Sequence, residues 1–368
     1  MTKIAEIFKS DTVLFIAATV AMVSMFFVPP NLNYIEYIDF RVLALLFCLM
    51  AVVSGTQKAG LFNYLSKKLI SITKNFRQTT LVLVLLCFFS SMLITNDVAL
   101  ITFVPLAISV VKEIAPKKII FVVVMQTVAA NLGSMFTPMG NPQNLFLTSF
   151  YNISIPEFLK IVAPVALLSL VLIICIVCLG KNEKTLPPET KIHISLDKNA
   201  LLVYLALFAV CLLTVINILN WKITLGIVCI SLFLKDKTLF KTVDYSLLFT
   251  FLSFFIFVGN IGNIEKLRTF ISSLINGQEL VFSVAISQII SNVPAALMLS
   301  GFTNNSTALV LGTNIGGLGT PVASLASLIS LKLYSKVDNC NVKKYLMWFS
   351  VINIGIMAML LCLVLWVM

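Results

Sequence analysis

Two stretches of the sequence, far apart in the chain, share one pattern of Asn, Gly, Thr and Pro. Residues 131–138 read Asn-Leu-Gly-Ser-Met-Phe-Thr-Pro, and residues 314–321 read Asn-Ile-Gly-Gly-Leu-Gly-Thr-Pro. Each stretch lies between apolar runs, where an uninterrupted helix would otherwise be expected. Pro lacks the backbone donor of a helix and clashes with the preceding turn, whereas Gly adopts irregular backbone angles. The two stretches therefore predict two broken helices.

The composition of the 368-residue chain indicates where these helices lie. Hydrophobic residues make up 59% of the chain and charged residues 11%, whereas soluble domains carry about 25% charged residues. We expect an all-α polytopic membrane protein, in which a broken helix is tolerated only where its freed backbone groups face protein or a polar cavity. Apolar runs that approach the ~20 residues needed to cross a bilayer are 13–28, 158–179, 200–216 and 345–367.

The net charge of +11 is better explained by topology than by nucleic-acid binding, because cytoplasmic loops collect Lys and Arg. We place the N-terminus in the cytoplasm and interpret segments 79–111 and 280–302 as re-entrant hairpins, which return to the side they entered from. The C-terminus is then outside, and the expected location is the plasma (inner) membrane. In this topology the only Lys and Arg outside the cytoplasmic parts are Arg41, Lys160, Lys222, Lys266 and Arg268.

The order of these parts occurs twice. Asp39 and Asp244 each begin an apolar run, and each run is followed by a semi-polar segment, a hairpin and a broken helix. The charges put Asp39 outside and Asp244 inside, so we predict two inverted-topology repeats. The predicted division is 1–38 (N-terminal helix and loop), 39–180 (repeat 1, with its hairpin at about 79–111 and its broken helix at about 119–150), 181–198 (cytoplasmic linker), 199–243 (connecting spans) and 244–368 (repeat 2, with its hairpin at about 280–302 and its broken helix at about 307–334).

Polar residues cluster at the hairpin tips and helix breaks, which should meet near the membrane midplane. Half-helices that begin there present unpaired N–H groups and a dipole end of about half a charge, so an anion can bind without Arg or Lys. Hydroxyl and amide side chains add to these groups, and unwound carbonyls can coordinate Na⁺. The candidate binding residues are Thr95, Asn96, Asp97, Asn131, Gly133, Ser134, Thr137, Asn141, Ser291, Asn292, Thr313, Asn314, Gly316 and Thr320.

Asp97 is the single acidic residue far inside an apolar segment. An ionised carboxylate there costs several kcal/mol unless it is paired, so we expect it to be protonated, bound to a cation or hydrogen-bonded by the hairpin tip. One hypothesis gives Asp97 a function, either in H⁺ exchange or in a Na⁺ site with Asn96 and Asn292. In the alternative hypothesis, Asp97 only caps a helix that begins at Val98, since Asp is a favoured N-cap.

The sequence contains no zinc-type ligand set and no evident nucleophile–base pair. The single His, His193, lies in a hydrophilic linker, and all Cys residues except Cys340 lie in apolar runs, where small apolar side chains are common. We therefore expect neither an enzyme nor a resident cofactor, only Na⁺ or H⁺ as a coupling ion. An ion channel is the alternative from another class, but its pore would need a continuous polar lining, whereas these polar residues cluster at one depth.

Three motifs of the chain together point to a known family. They are Thr95-Asn96-Asp97-Val-Ala-Leu, Ser291-Asn292-Val293-Pro294 and Gly319-Thr320-Pro321-Val-Ala-Ser324-Leu-Ala326. These motifs resemble those of the ion transporter superfamily, which includes divalent-anion/sodium symporters, citrate transporters, sodium/proton antiporters and arsenite efflux permeases. The resemblance covers nearly the whole chain and is closest to the arsenite-permease branch. It implies an elevator-type carrier, often a homodimer, whose mobile part carries the hairpins, and it adds Ser324 to the candidate residues.

The hairpin tips differ from those of the dicarboxylate branch, which has Ser-Asn-Thr at both tips. Val293 lacks the hydroxyl of that motif, and Asp97 adds a carboxylate. These differences favour a secondary active transporter of a small anion or oxyanion, coupled to H⁺ or Na⁺. A sodium/proton antiporter and a di- or tricarboxylate symporter are the alternatives within the same superfamily.

Overall fold

The computed structural model describes residues 12–180 and 196–367, and the regular secondary structure of these residues is entirely helical. The first eleven residues and most of the predicted linker, including His193, lie outside the described residues. The α-helices of the first described range are α1 (Thr12–Phe27), α2 (Tyr34–Tyr37), α3 (Phe40–Lys58), α4 (Leu61–Ile70), α5 (Phe76–Ser91), α6 (Asn96–Ile114), α7 (Ile119–Ser134), α8 (Pro142–Phe150) and α9 (Ile155–Leu179).

The second described range contains as many α-helices as the first. They are α10 (Lys198–Val215), α11 (Trp221–Lys235), α12 (Tyr245–Gly262), α13 (Glu265–Ile275), α14 (Glu279–Ile290), α15 (Asn292–Ser300), α16 (Ser306–Gly316), α17 (Leu325–Tyr334) and α18 (Val342–Val367). Short 3₁₀ turns occur at Pro116–Lys118, Lys237–Lys241 and Pro321–Ala323.

Five of the described helices are long and apolar enough to cross a membrane: α3, α9, α10, α12 and α18. The pair formed by α13 and α14 also passes this test, but it is bent by 105°. α1 is apolar and shorter, with 16 residues. These lengths and compositions agree with the expectation of an all-α, multi-pass membrane protein.

α3 and α12 begin with the same cap. The residues before them, Asp39 and Asp244, have nearly identical backbone angles (φ −79° and ψ 87°, and φ −78° and ψ 87°). Each Asp carboxylate accepts a 3.0 Å hydrogen bond from the backbone N–H three residues later, in Val42 and Leu247. An N-cap of this kind satisfies one of the donors that a helix start leaves unpaired. The two capped helices are each followed by a short amphipathic helix, α4 or α13.

Two pairs of helices with short connections follow α4 and α13. In the pair α5–α6, residues 92–95 join the helices, and α5 packs along α7. In the pair α14–α15, Ser291 alone separates the helices, and α14 packs along α16. Ser291 adopts φ +78°, a conformation that residues with a side chain adopt rarely and at an energetic cost. The turn residues of each pair, together with the first residue of its second helix, form its tip.

The helices that follow these pairs are interrupted. α7 ends at Ser134 and α8 begins at Pro142, whereas α16 ends at Gly316 and α17 begins at Leu325. The buried apolar residues form two clusters, and the interruptions lie between them. α7 and α17 contribute to the first cluster, α8 contributes to the second, and α16 contributes to both.

Candidate functional site

The two interrupted helices are joined by a reciprocal pair of hydrogen bonds. The Ser324 hydroxyl, just before α17, donates to Asn131 Oδ1 on α7 at 3.0 Å. The Asn141 amide, just before α8, donates to Asn314 Oδ1 on α16 at 2.9 Å. Ser324 follows Asn314 by ten residues, and Asn141 follows Asn131 by the same number. The two Asn–Gly–Thr–Pro stretches are therefore in contact, and each binds the other through equivalent positions.

A second pair of bonds repeats this arrangement three residues further along the chain. Asn131 Nδ2 donates to Ser327 Oγ at 3.3 Å, and Asn314 Nδ2 donates to Asn144 Oδ1 at 2.6 Å. All four of these residues are buried. A buried amide without a partner would cost about 1–3 kcal/mol, so these bonds hold the interrupted helices in one arrangement.

The Thr of each stretch binds a helix pair instead of facing a cavity. The Thr137 hydroxyl donates to the carbonyl of Met92 at the tip of α5–α6. The Thr320 hydroxyl donates to the carbonyl of Gln288 near the tip of α14–α15, at 3.0 Å. Both predicted site residues thus connect an interrupted helix to the helix pair that precedes it in the sequence. Their hydroxyls position the tips.

The Gly that each stretch places two residues after its Asn has the same role in both halves. A Cβ atom added to Gly133 would lie 2.1 Å from the carbonyl oxygen of Phe88 on α5. A Cβ added to Gly316 would lie 2.8 Å from Ser287 on α14. Real Cβ atoms do not approach other heavy atoms this closely, so only Gly lets these backbones pack together.

The two tips also bind the opposite ends of the interruptions. The Asn96 N–H donates to the Gly140 carbonyl at 3.2 Å, and its side-chain amide donates to Asn131 Oδ1 at 3.0 Å. The Ser291 hydroxyl donates to the Ala323 carbonyl at 3.3 Å. Each tip therefore packs against an interrupted helix, and the polar groups of both lie together inside the apolar protein.

A narrow cleft of about 10 Å³ remains between these elements, about the size of one water molecule. Among its lining residues are four of the predicted site residues, namely Asn96, Asp97, Asn292 and Ser324. The lining also includes Gln143, which was not among the candidates predicted from the sequence. The three residues predicted to form a Na⁺ site thus lie together around one cleft.

Two oxygen atoms at this cleft lack a hydrogen-bond partner. They are Oδ1 of Asp97 and Oε1 of Gln143, and both atoms are buried. The Asn96 side chain, in contrast, is fully engaged, because its Oδ1 accepts from the Asp97 N–H and its Nδ2 donates to Asn131. Buried acceptors without partners fit a cation or a proton, since oxygen atoms are the ligands that Na⁺-like ions take.

The alternative in which Asp97 is only a helix cap is wrong. The N-cap of α6 is Thr95, and the helix begins at Asn96, so Asp97 is already its second residue. The Asn96 side chain, instead of Asp97, accepts the bond from a backbone N–H at this end. Thr95 does not cap through its own side chain. Asp97 is therefore not the N-cap but an acidic residue of the first turn, where a carboxylate interacts favourably with the helix dipole.

A larger cavity of about 520 Å³ adjoins the same residues. Thr95, Asp97 and Asn141 line it, and it also reaches Asp244 and Lys332, which are exposed. Apolar side chains such as Leu49 form much of its wall. The polar centre is thus connected to a cavity that ends among charged, exposed side chains.

The cleft is also the place where four helices begin. The first residues of α6 (Asn96 and Asp97), of α8 (Pro142 and Gln143), of α15 (Asn292 and Val293) and of α17 (Leu325) line it. The N-terminus of each helix carries the positive end of the helix dipole and N–H groups without partners inside the helix. At α6, two of these groups already donate to Gly140 and to the Asn96 side chain. No Lys or Arg is among the described residues that line the cleft. The arrangement can therefore stabilise an anion with backbone groups, next to a carboxyl group that can hold a cation or a proton.

The remaining predicted residues have structural contacts. The Ser134 hydroxyl donates to the Asn131 carbonyl at 2.9 Å, and the Thr313 hydroxyl donates to the Leu309 carbonyl at 2.7 Å, each within its own helix. Functional candidates that the sequence alone did not reveal are Gln143, Asn144 and Ser327. The sequence did contain one signal for two of them, because Asn144 and Ser327 occupy equivalent positions, each thirteen residues after the Asn of its own stretch.

Comparisons with known proteins agree with this architecture. The family model of the citrate transporters (CitMHS) matches residues 2–307. An uncharacterized transporter of Methanocaldococcus jannaschii, MJ0456, is 31% identical over 352 residues, covering 94% of this chain and 96% of that protein. The inner membrane protein YbiR of Escherichia coli is 29% identical over 315 residues, 84% of each chain. The silicon efflux transporter LSI3 of Oryza sativa subsp. japonica is 31% identical over 130 residues, 35% of this chain and 27% of that protein.

Proposed function

Because the chain belongs to the citrate transporter family of the ion transporter superfamily, we propose that it is a secondary active transporter of a small anion or oxyanion. Transport is coupled to H⁺ or Na⁺. The family and its relatives are transporters and not enzymes, so the predicted class of the protein is confirmed. The solute, the coupling ion and the mechanism belong to this proposal.

The observation that carries the proposal is the meeting of four helix N-termini at one cleft beside Asp97. The N-termini supply donors and positive potential for an anion without a fixed positive side chain. Asp97 and Gln143 supply oxygen atoms for the coupling cation, or Asp97 takes up a proton. An anion and a cation bound side by side stabilise each other, because their charges attract strongly where water is scarce. This mutual stabilisation is the physical basis of the coupling.

The polarity of the site favours a small oxyanion. The cleft has room for about one water-sized ion, so the solute would occupy the adjoining cavity, which Thr95, Asp97 and Asn141 line. A small oxyanion offers several acceptor oxygens in a compact volume, whereas a tricarboxylate would need binding groups spread over a longer distance. The name of the rice relative refers to silicon efflux, which is also compatible with a compact oxygen-rich solute.

We propose further that the two halves are inverted repeats, as the reciprocal hydrogen bonds of Asn131 and Asn314 suggest. The matching caps of Asp39 and Asp244 support the same relationship. Both ends of the pair α5–α6 also lie close together, because Arg77 and Lys118 line one groove. A pair whose two ends meet at one surface is what a re-entrant hairpin requires. The distribution of Lys and Arg then puts the N-terminus of this topology in the cytoplasm and the C-terminus outside.

One contact that is present in only one half supports alternating access. Ser149, near the end of α8, donates a 3.1 Å hydrogen bond to the Asp39 carboxylate. In the second half, Lys332 on α17 follows Asn314 by as many residues as Ser149 follows Asn131. Asp244 is the counterpart of Asp39. Lys332 and Asp244 line the larger cavity. This cavity and the Ser149–Asp39 contact support a state that is open on the side of Asp244.

In the opposite state we expect Lys332 to approach Asp244 and Ser149 to leave Asp39. In the proposed topology Asp244 is cytoplasmic, so a cavity that opens beside it corresponds to an inward-facing state. The helix pairs move between the two states in an elevator-type motion. The superfamily resemblance implies that the carrier is a homodimer.

Purified protein in liposomes tests the proposal against a channel. Citrate, arsenite and phosphate serve as labelled probes, each with and without Na⁺ and with a pH gradient. A carrier gives saturable uptake and counterflow, in which an unlabelled solute inside the liposome drives uptake of the labelled one. A current that increases in proportion to voltage without saturation, together with absent counterflow, would contradict the proposal. Na⁺ movement driven by a pH gradient without any anion would indicate a sodium/proton antiporter instead.

A further inference from the structure

A basic groove that shares no lining residue with the cleft lies where the start of the pair α5–α6 meets the end of α9 and the start of α18. The groove has a volume of about 340 Å³. Arg77, Lys117, Lys118 and Lys344 line it, and no acidic residue is among the described residues that do so. We propose that this groove binds an anionic phospholipid, with the phosphate among the four cations.

Two buried donors in the groove lack a partner, which argues for a ligand. Nε of Arg77 has none, although Nη2 of the same side chain donates to the Gly180 carbonyl at 2.8 Å. The Thr80 hydroxyl, on a residue only 1% exposed, also has none. A buried hydroxyl in a helix usually donates to the carbonyl of the preceding turn. A phosphate oxygen is the acceptor that matches both a guanidinium and a neighbouring hydroxyl.

The rest of the groove is apolar, which distinguishes a lipid from a free anion. Phe76, Phe121 and Val177 form part of the wall, and Trp348 lies at the rim with 41% of its surface exposed. Trp is enriched at the membrane–water interface, where its ring contacts both headgroups and acyl chains. Basic pockets between membrane-spanning helices on the cytoplasmic side are typical sites for anionic headgroups. The acyl chains would follow the aromatic wall.

This site is independent of the transported solute. Its lining comes from α5, α7, α9 and α18 and from the 3₁₀ turn at Pro116–Lys118. Arg77 lies at the start of the pair α5–α6, Lys117 and Lys118 follow its end, and Lys344 lies on α18. A bound lipid would hold the two ends of this pair together. The expected effect of the lipid is therefore on stability, and it should appear without any transport substrate.

Thermal unfolding of the purified protein in detergent measures the binding. The probes are a short-chain phosphatidylglycerol, a phosphatidylcholine with the same acyl chains, and inorganic phosphate, at equal concentrations. We expect phosphatidylglycerol to raise the unfolding temperature in a concentration-dependent way, because a ligand that binds only the folded state stabilises it. Phosphatidylcholine and phosphate alone should have little effect. Equal stabilisation by phosphatidylcholine would overturn the role of charge, and equal stabilisation by phosphate would overturn the role of the lipid chains.

Matched variants test the residues. Lys344→Gln should weaken binding of phosphatidylglycerol about fivefold, the loss expected for one cation near an anionic headgroup. Lys343→Gln is the control, because Lys343 is the neighbouring exposed Lys but does not line the groove. Arg77→Gln should weaken binding at least as much, although it also removes the bond to Gly180.

Thr80→Val keeps the test decisive if the Arg77 variant does not fold. It removes the hydroxyl without changing the shape of the side chain, and the protein should fold normally because this hydroxyl has no partner within it. Phosphatidylglycerol should then bind more weakly to the variant than to the unchanged protein. If Thr80→Val and Lys344→Gln both bind the lipid as well as Lys343→Gln does, the proposed site is wrong.

Discussion

The amide of Asn141 donates a 2.9 Å hydrogen bond to Oδ1 of Asn314, joining the two interrupted helices at the centre of the protein. The reciprocal bond, from Ser324 to Asn131, closes the same contact from the other half. Asn131 and Asn314, which the sequence pattern predicts near one site, are thus each bound by a residue that follows the other Asn in the sequence. Their amides determine how the four helix N-termini face the cleft.

Substitution of either central Asn should disturb transport more than folding. Asn314→Ala removes the acceptor of Asn141 and the donor to Asn144, and Asn131→Ala removes the equivalent contacts in the other half. Each substitution should lower the free energy of unfolding by about 1–3 kcal/mol, and counterflow in liposomes should fall at least tenfold because the cleft loses its geometry.

Asn353→Ala is the control for these variants. Asn353 is also a fully buried amide, but it lies on α18 and donates only to the Phe349 carbonyl within its own helix. Its replacement should leave the transport rate per folded molecule nearly unchanged. If Asn131→Ala and Asn314→Ala transport as fast as Asn353→Ala, the central pair has no role in the site.

Gly133 should not tolerate a side chain. In Gly133→Ala the new Cβ would lie 2.1 Å from the Phe88 carbonyl oxygen, so α7 and α5 would have to separate, at a cost of about 1–3 kcal/mol or more. Gly226→Ala is the control, because nothing lies within 4 Å of the added Cβ and Ala is favoured over Gly in a helix by about 1 kcal/mol. We expect a lower unfolding temperature for the first variant and an equal or higher one for the second. A stable Gly133→Ala protein would contradict the close packing of α7 on α5.

Gln143 should be needed for a ligand and not for the fold. Gln143→Leu removes a buried oxygen that has no partner in the protein, so the stability of the protein without ligands should be unchanged or higher. If Na⁺ is the coupling ion, the apparent affinity for Na⁺, measured from the rise in unfolding temperature with Na⁺ concentration, should decrease at least tenfold in this variant.

Gln126→Leu serves as the comparison for Gln143. Gln126 is also fully buried with a partnerless Oε1, but it does not line the cleft. The Gln126→Leu protein should be less stable, because Gln126 Nε2 donates to two backbone carbonyls. Na⁺ should stabilise this variant as much as it stabilises the unchanged protein. Equal Na⁺ responses in the two Gln variants would remove Gln143 from the ion site.

The sequence was sufficient to predict the helix interruptions, because Gly and Pro act through the local backbone. Helices α14 and α15 occupy nearly the same residues as the predicted segment 280–302, and its re-entrant course stays a prediction. Local chemistry of this kind depends on a few neighbouring residues. It can therefore be inferred without knowledge of the packing.

The partners of the site residues could not be predicted in the same way. Thr137 and Thr320 were expected to border the solute, but their hydroxyls bind the carbonyls of the helix pairs. Gln143 looked like an ordinary residue in the first turn of α8, and only the packing of four helices brings its side chain to the cleft. Such contacts depend on how helices far apart in the sequence are oriented, and residue type does not determine this.

Cysteine cross-links should separate the two states of the carrier. In a background without native Cys, we expect the pair Asp39→Cys and Ser149→Cys to form a disulfide readily, since their side chains are in contact in the structure. The pair Asp244→Cys and Lys332→Cys should cross-link mainly during transport, when the opposite state is visited. Each cross-link should stop counterflow reversibly, with recovery after reduction. Free transport with either disulfide fully formed would contradict the proposed closure.

The most direct test of the coupling site is gradient-driven uptake compared with solute exchange in Asp97→Asn. The substitution keeps the shape of the side chain but removes its charge and its titration. If Asp97 carries the coupling H⁺ or Na⁺, uptake driven by a gradient of that ion should fall at least tenfold, whereas exchange of labelled for unlabelled solute should partly survive. A variant with normal gradient-driven uptake and normal ion dependence would show that Asp97 does not couple transport, and the cleft would then not be the coupling site.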